Sequence, residues 1–181
     1  MSDAEPTLVW VDLEMTGLDV ESCAIIEMAV VVTRSDLEPV AELERVIWQP
    51  DEVLGRMSPF VREMHTKNGL LDKVRASRAS VTDVENEAVA LIAAHAPFRE
   101  GILAGNSIHA DRRFLARYMP TFERFLHYRQ IDVSTLKVLT RAWYPASVAF
   151  EKAGQEHTAL ADIRASIAEL RHYRQTFFRD P

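Results

Sequence analysis

The segment Leu8-Val-Trp-Val-Asp-Leu-Glu-Met15 begins apolar on both faces. A strand of that kind needs sheet neighbours on both edges and cover above and below, so it belongs at the centre of a sheet. A Thr16-Gly17 turn follows, and Ile25 to Val32 reads as a second strand. Ser35 to Pro39 marks a turn, and Leu43 to Gln49 reads as a third strand closed by Pro50. Links this short predict an antiparallel meander. The hydrophobic period then changes. Thr82 to His95 puts Val84, Ala88, Leu91 and Ile92 on one helical stripe, with Thr82 and Glu85 spaced as a capping box. Gly101 to Gly105 is a short buried strand, and Asp111 to Tyr118 is a helix that Pro120 ends. Arg129 to Val133 is a further strand, and Ser134 caps a helix through Trp143. Pro145 to Glu156 is a loop, and a last helix from about Thr158 to Phe178 turns Leu160, Ile163, Ile167 and Leu170 inward. Three strands followed by alternating helices and strands predict an α/β fold. It is a mixed sheet covered by helices, in a single domain over residues 1–181 with a flexible tail at about residues 1–6.

Several classes are excluded or disfavoured. Of 181 residues, 48% are hydrophobic and 27% charged, which is ordinary for a globular chain. Cys23 is the single cysteine, so no disulfide joins two parts of the chain. No apolar run approaches the ~20 residues that span a bilayer. Met1 to Thr7 lacks a basic-then-apolar export signal. A cytoplasmic location is the expectation. The net charge of −6 disfavours a long nucleic acid held on a broad basic track. It leaves room for a short anion, or one bridged by metal.

Asp12 and Glu14 are the most informative pair. They stand two apart on one face of the central strand, roughly 6.6 Å along its axis. Carboxylates at that spacing can share divalent cations, since paired catalytic metals sit about 3.5–4 Å apart. Asp111 follows a buried strand and the small residues Gly105-Asn-Ser107. Asp162 lies on a flank of the last helix, about 120° from its apolar stripe. His157 precedes that helix and can take a proton from water near neutral pH. Each of these has an ordinary structural explanation alone, as a solvated strand end, a helix cap or a first-turn acid. Together they favour a site.

Four segments carry a resemblance. They are Trp10-Val-Asp-Leu-Glu-Met-Thr-Gly-Leu18, Gly105-Asn-Ser-Ile-His-Ala-Asp-Arg-Arg-Phe-Leu115, His127-Tyr-Arg-Gln-Ile-Asp-Val-Ser-Thr-Leu-Lys137 and His157-Thr-Ala-Leu-Ala-Asp-Ile163. In that order, across almost the whole chain, they resemble the oligoribonucleases, the histidine-containing branch of the DEDD exonuclease superfamily. The resemblance implies a ribonuclease-H-like fold, two divalent cations (Mg²⁺ or Mn²⁺) and 3′→5′ hydrolysis of very short RNAs, dinucleotides especially, to nucleoside 5′-monophosphates. It implies that Asp12, Glu14, Asp111 and Asp162 hold the metals, with Asp12 bridging, and that His157 is the general base. It further implies that Leu18 wedges between two bases, that Ser107, Arg129 and Ser134 meet a terminal 5′-phosphate with His65 close by, and that Tyr128 reaches the neighbouring site of a homodimer. Phe60 stands where the family commonly has tryptophan, a smaller ring without an indole N–H. A non-catalytic binding module on the same fold would be expected to have lost one of the five catalytic residues, and all five are here.

Overall fold

A computed structural model describes residues 5–146, 149–151 and 158–178. The first strand, β1 (Leu8–Met15), has the span that alternation predicts. It pairs antiparallel with β2 (Ile25–Thr33), and β2 with β3 (Pro39–Val46). β4 (Ile102–Gly105) joins the other edge of β1 in parallel, and β5 (Gln130–Asp132) joins β4. Among the described residues the sheet order is β3-β2-β1-β4-β5, the expected meander extended by parallel strands.

Alternation along β1 divides the core. Val9, Val11 and Leu13 face one side, where α4 (Val81–Ala93), α5 (His109–Tyr118) and α6 (Pro120–Phe125) cover them. Leu8 and Trp10 face the other side, under α8 (Ala159–Phe177), with Ala29 and Val31 beside them. Trp10 is fully buried and its indole N–H donates to Thr33 Oγ1 at 3.0 Å, so its one polar atom is satisfied. Asp12 and Glu14 continue the Leu8–Trp10 row. They therefore emerge on the α8 side, where hydrophobic packing gives way to a cleft.

Several boundaries differ from those expected. β3 runs over Pro39–Val46 rather than Leu43–Gln49, because it is an edge strand held by backbone pairing, with Glu42, Glu44 and Arg45 turned to solvent. The apolar Val46-Ile-Trp48 marks where the chain leaves the sheet, not the strand's centre. The capping box of α4 is Ser80 with Asp83, two residues before the expected Thr82 and Glu85. Glu85 is instead buried, and its Oε1 accepts the N–H groups of Thr121 at 2.6 Å and Phe122 at 3.1 Å. It thus caps α6, which Pro120 opens as well as ending α5. Replacing Glu85 with Ala leaves those two donors without a partner. A loss of about 1–3 kcal/mol is expected, read as a fall of several degrees in the melting temperature.

Three short helices fill a stretch to which the sequence assigned no element: α1 (Asp51–Leu54), α2 (Pro59–Lys67) and α3 (Leu70–Ala76). They enclose a separate small core of Ile26, Leu54, Met57, Leu70, Leu71 and Val74. Asp132, not Ser134, caps α7 (Val133–Trp143), accepting the Ser134 N–H at 3.0 Å. α8 starts from Thr158, whose side chain accepts the Ala161 N–H at 3.3 Å. No helix among the described residues is long and apolar enough to cross a membrane.

Candidate active site

β1 supplies Asp12 and Glu14, and α8 lays Asp162 across them. One carboxylate oxygen from each of the three lies within 4.8 Å of the others. Asp111, in the first turn of α5, is buried at the same place. Its Oδ1 accepts the N–H of Leu13, the residue between Asp12 and Glu14, at 3.0 Å. The cause lies in the sheet: β4 pairs with β1 only as far as Trp10, so Leu13 has no strand partner on that edge. The carboxylate takes the position that β4 has vacated. Gly105 permits the close docking of this turn, since a Cβ there would meet Ile108 Cδ1 at 2.9 Å and Val11 O at 3.0 Å.

Burial and crowding favour the protonated forms of Asp12, Glu14 and Asp111. Burial, then the charges of Asp111, Glu14, Asp162 and Glu27, push the Asp12 carboxyl up to about 9. Burial, then Glu27, Asp162 and Asp111, raise Glu14 to about 7. Burial raises Asp111 to about 7 against the opposing bond from Leu13. Acids in such a place are stabilised as anions only by compensating positive charge. Their donor set is all hard oxygen, which suits small divalent cations such as Mg²⁺, Mn²⁺ or Ca²⁺ better than zinc or copper.

Glu27 belongs to this assembly and was not foreseen. It stands directly opposite Glu14 in the β1–β2 ladder, is buried, and its Oε2 accepts the N–H of Ala159 at 3.3 Å. It therefore anchors the start of the helix that carries Asp162. A lone acid inside the apolar run Ile25 to Val32 was the available signal.

A second polar group adjoins the first. Ser107 N–H donates to Ser134 Oγ at 2.8 Å and Asp132 Oδ1 at 2.9 Å, and the two serine hydroxyls lie 3.2 Å apart. Ser107 has φ +51°, a left-handed conformation costly for a non-glycine residue. Behind it, Asn106 Oδ1 accepts the Ser134 hydroxyl at 3.0 Å, and its Nδ2 donates to Ser166 Oγ at 2.9 Å and Glu169 Oε2 at 3.1 Å. Asn106, Ser166 and Glu169 are likewise residues that sequence reasoning missed. Their bonding depends on the meeting of α8 with the β4–α5 turn.

The remaining candidates divide by exposure. Leu18, Phe60 and Tyr128 are 76%, 77% and 63% exposed, far too open to be core. Arg129 is exposed, with its guanidinium carbon 5.3 Å from the Tyr128 ring centre. His65 is fully buried, with Nε2 donating to Met15 O at 3.0 Å at the strand end that leads to Leu18. Burial lowers its pKa, so the ring is neutral. Its Nδ1 has no hydrogen-bond partner among the described residues. His157 lies outside the described residues.

Residues 9–170 match a protein-family model described as exonuclease. Oligoribonuclease from Aromatoleum aromaticum is 49% identical over 181 residues, covering 99% of this chain and 98% of its own. Oligoribonuclease from Thiobacillus denitrificans is 49% identical over 173 residues, 95% of each chain. Among solved structures, a product-bound exonuclease I superposes with a TM-score of 0.72 at 16% identity, over 95% of this chain and 44% of that one. Exonuclease I from Methylocaldum szegediense gives 0.69 at 20% identity, over 95% and 41%. This chain thus spans about two fifths of those longer nucleases and shares with them the ribonuclease-H-like fold.

Proposed function

Because this chain belongs to the oligoribonuclease family of exonucleases, we propose that it hydrolyses short oligoribonucleotides, dinucleotides above all, from the 3′ end to nucleoside 5′-monophosphates. The observation that carries this reading is the convergence of Asp12, Glu14 and Asp162 within 4.8 Å, with Asp111 bonded to the strand between the first two.

Asp12, Glu14, Asp111 and Asp162 would hold two divalent cations, Mg²⁺ or Mn²⁺. Cations bound there supply Lewis acidity and offset the charge that develops on the phosphate. His157 takes the proton of the attacking water as general base, and its neighbour Thr158 caps α8, one helical turn ahead of Asp162. Attack in line at phosphorus needs no covalent enzyme intermediate, so Cys23 stays outside the chemistry. Ser107, Ser134 and Arg129 receive the terminal 5′-phosphate. Leu18 enters between the bases, and Phe60 packs on one of them. His65 acts through the Met15 carbonyl to hold the turn that presents Leu18. Tyr128 stacks in the neighbouring site of a homodimer.

The test compares a 5′-phosphorylated diribonucleotide with a long RNA and a long single-stranded DNA. The dinucleotide is expected to turn over fastest, with release of mononucleotides stopped by chelator. His157→Ala is expected to lose roughly 10²–10⁴-fold, the range typical of proton transfer. Preference for the long chains, or a wild-type rate in His157→Ala, overturns the corresponding part. A monomeric mass at micromolar concentration with turnover retained removes Tyr128 from the partner's site.

A further inference from the structure

The cavity that contains Asp12 and Asp162 runs on beyond them. It encloses about 380 Å³, and its opposite wall carries Lys137 and Arg141 of α7. Ser134, Lys137 and Arg141 follow at intervals of three and four residues, so they line one face of the helix. Lys137 Nζ is held 3.2 Å from Glu169 Oε2. Glu169 is buried and also accepts the Tyr173 hydroxyl at 2.7 Å, so this ammonium is fixed by a saturated carboxylate. The same two cations wall an adjoining cavity of about 180 Å³ whose other sides include Tyr144, Phe150, Tyr173 and Phe177. Tyr144 and Phe177 are 4.3 Å apart at the ring centres and tilted by 48°. The dinucleotide contacts proposed above use neither Lys137, Arg141 nor this aromatic slot.

Two cations at the mouth of a slot lined by rings suit a ligand with a phosphate at one end and a planar ring at the other. We propose that this is a binding site for a nucleoside 5′-monophosphate, with its phosphate on Lys137 and Arg141 and its base against Tyr144, Phe150 and Phe177. The identity of the ligand rests on the proposed reaction, whose product is such a nucleotide. A phosphate released beside Asp12 and Asp162 meets those cations along the same cavity. A nucleotide held there narrows the route by which the next substrate arrives, so the site makes the enzyme sensitive to its own product.

The experiment is calorimetric titration of AMP into the full chain in the presence of chelator. The carboxylates then have no cation with which to recruit a phosphate, and the α7 site is identified as the part of the binding that Arg141→Gln removes. Saturable binding is expected, weakened about tenfold or more in Arg141→Gln and in Tyr144→Ala, two exposed positions whose variants are checked by melting temperature. Adenosine and inorganic phosphate, each offering half of the ligand, are expected to bind at least about tenfold more weakly than AMP. Absence of saturable binding, undiminished affinity in Arg141→Gln, or adenosine binding as well as AMP overturns the proposal. Failure of the wild-type chain to release mononucleotide from the diribonucleotide with Mg²⁺ would remove the proposed reaction without altering this titration, so the two failures are distinguishable.

Discussion

Asp12→Asn is expected to lower mononucleotide release by on the order of 10³-fold or more, while the metal-free protein stays folded. The asparagine keeps the shape of the side chain and mimics its protonated form. Wild-type Asp12, raised to about 9, already carries a proton through most of the neutral range. The variant is therefore expected to melt with metal-free wild type below about pH 4, and increasingly above it as the pH rises toward 9. A residue needed only for folding would lose stability and activity together. Turnover within about tenfold of wild type would sink the assignment of Asp12 to the metals.

The same cluster sets the second expectation. Asp12, Glu14 and Asp111 all have folded-state pKa values above their ordinary 3.8, 4.5 and 3.8, reaching about 9, 7 and 7. For acids shifted this way the folded state binds more protons than the unfolded one. Their contribution is fully present below about pH 4 and is lost as pH rises, through 7 for Glu14 and Asp111 and through 9 for Asp12. Each tenfold change in proton affinity corresponds to about 1.4 kcal/mol. Metal-free protein is thus expected to lose several kcal/mol between pH 5 and 9, roughly 10 °C in melting temperature for a chain of this size. Millimolar Mg²⁺ or Mn²⁺ is expected to restore most of that loss at the alkaline end and little at pH 5, since the cation competes with protons for the same oxygens. A melting temperature flat across this range, or one that the cations raise equally at both ends, would contradict the proton-holding cluster.

How much of this was legible in the sequence depended on the range of the interaction. β1 could be read to the residue because its alternation is local, and the shared face of Asp12 and Glu14 followed from it. β3 was misplaced because an edge strand shows solvent-facing acids where a core strand shows valines. The helices between Asp51 and Ala76 are four to nine residues long, too short for a periodic stripe to stand out. The Ser58-Pro59 start of α2 was their one clear mark. Ser80 and Asp132 displaced Thr82 and Ser134 as caps because both pairs offer suitable oxygens, and only packing selects between them. The convergence of Asp111 and Asp162 on Asp12 joins parts of the chain about a hundred and more positions apart. No local pattern encodes that, and resemblance supplied it. Glu27 and Glu169 show the same limit, as acids whose partners come from another element.

The bond from Leu13 to Asp111 ties the chemistry to the maturity of the whole molecule. On the proposed metal site, a strand near one end, a turn in the middle and a helix near the other end must all dock before the four acids come together. A collapsed chain with its helices formed but one of them undocked has no nuclease in it. Recovery of hydrolysis during refolding is therefore expected to lag the return of helical content, as a stricter gauge of native structure.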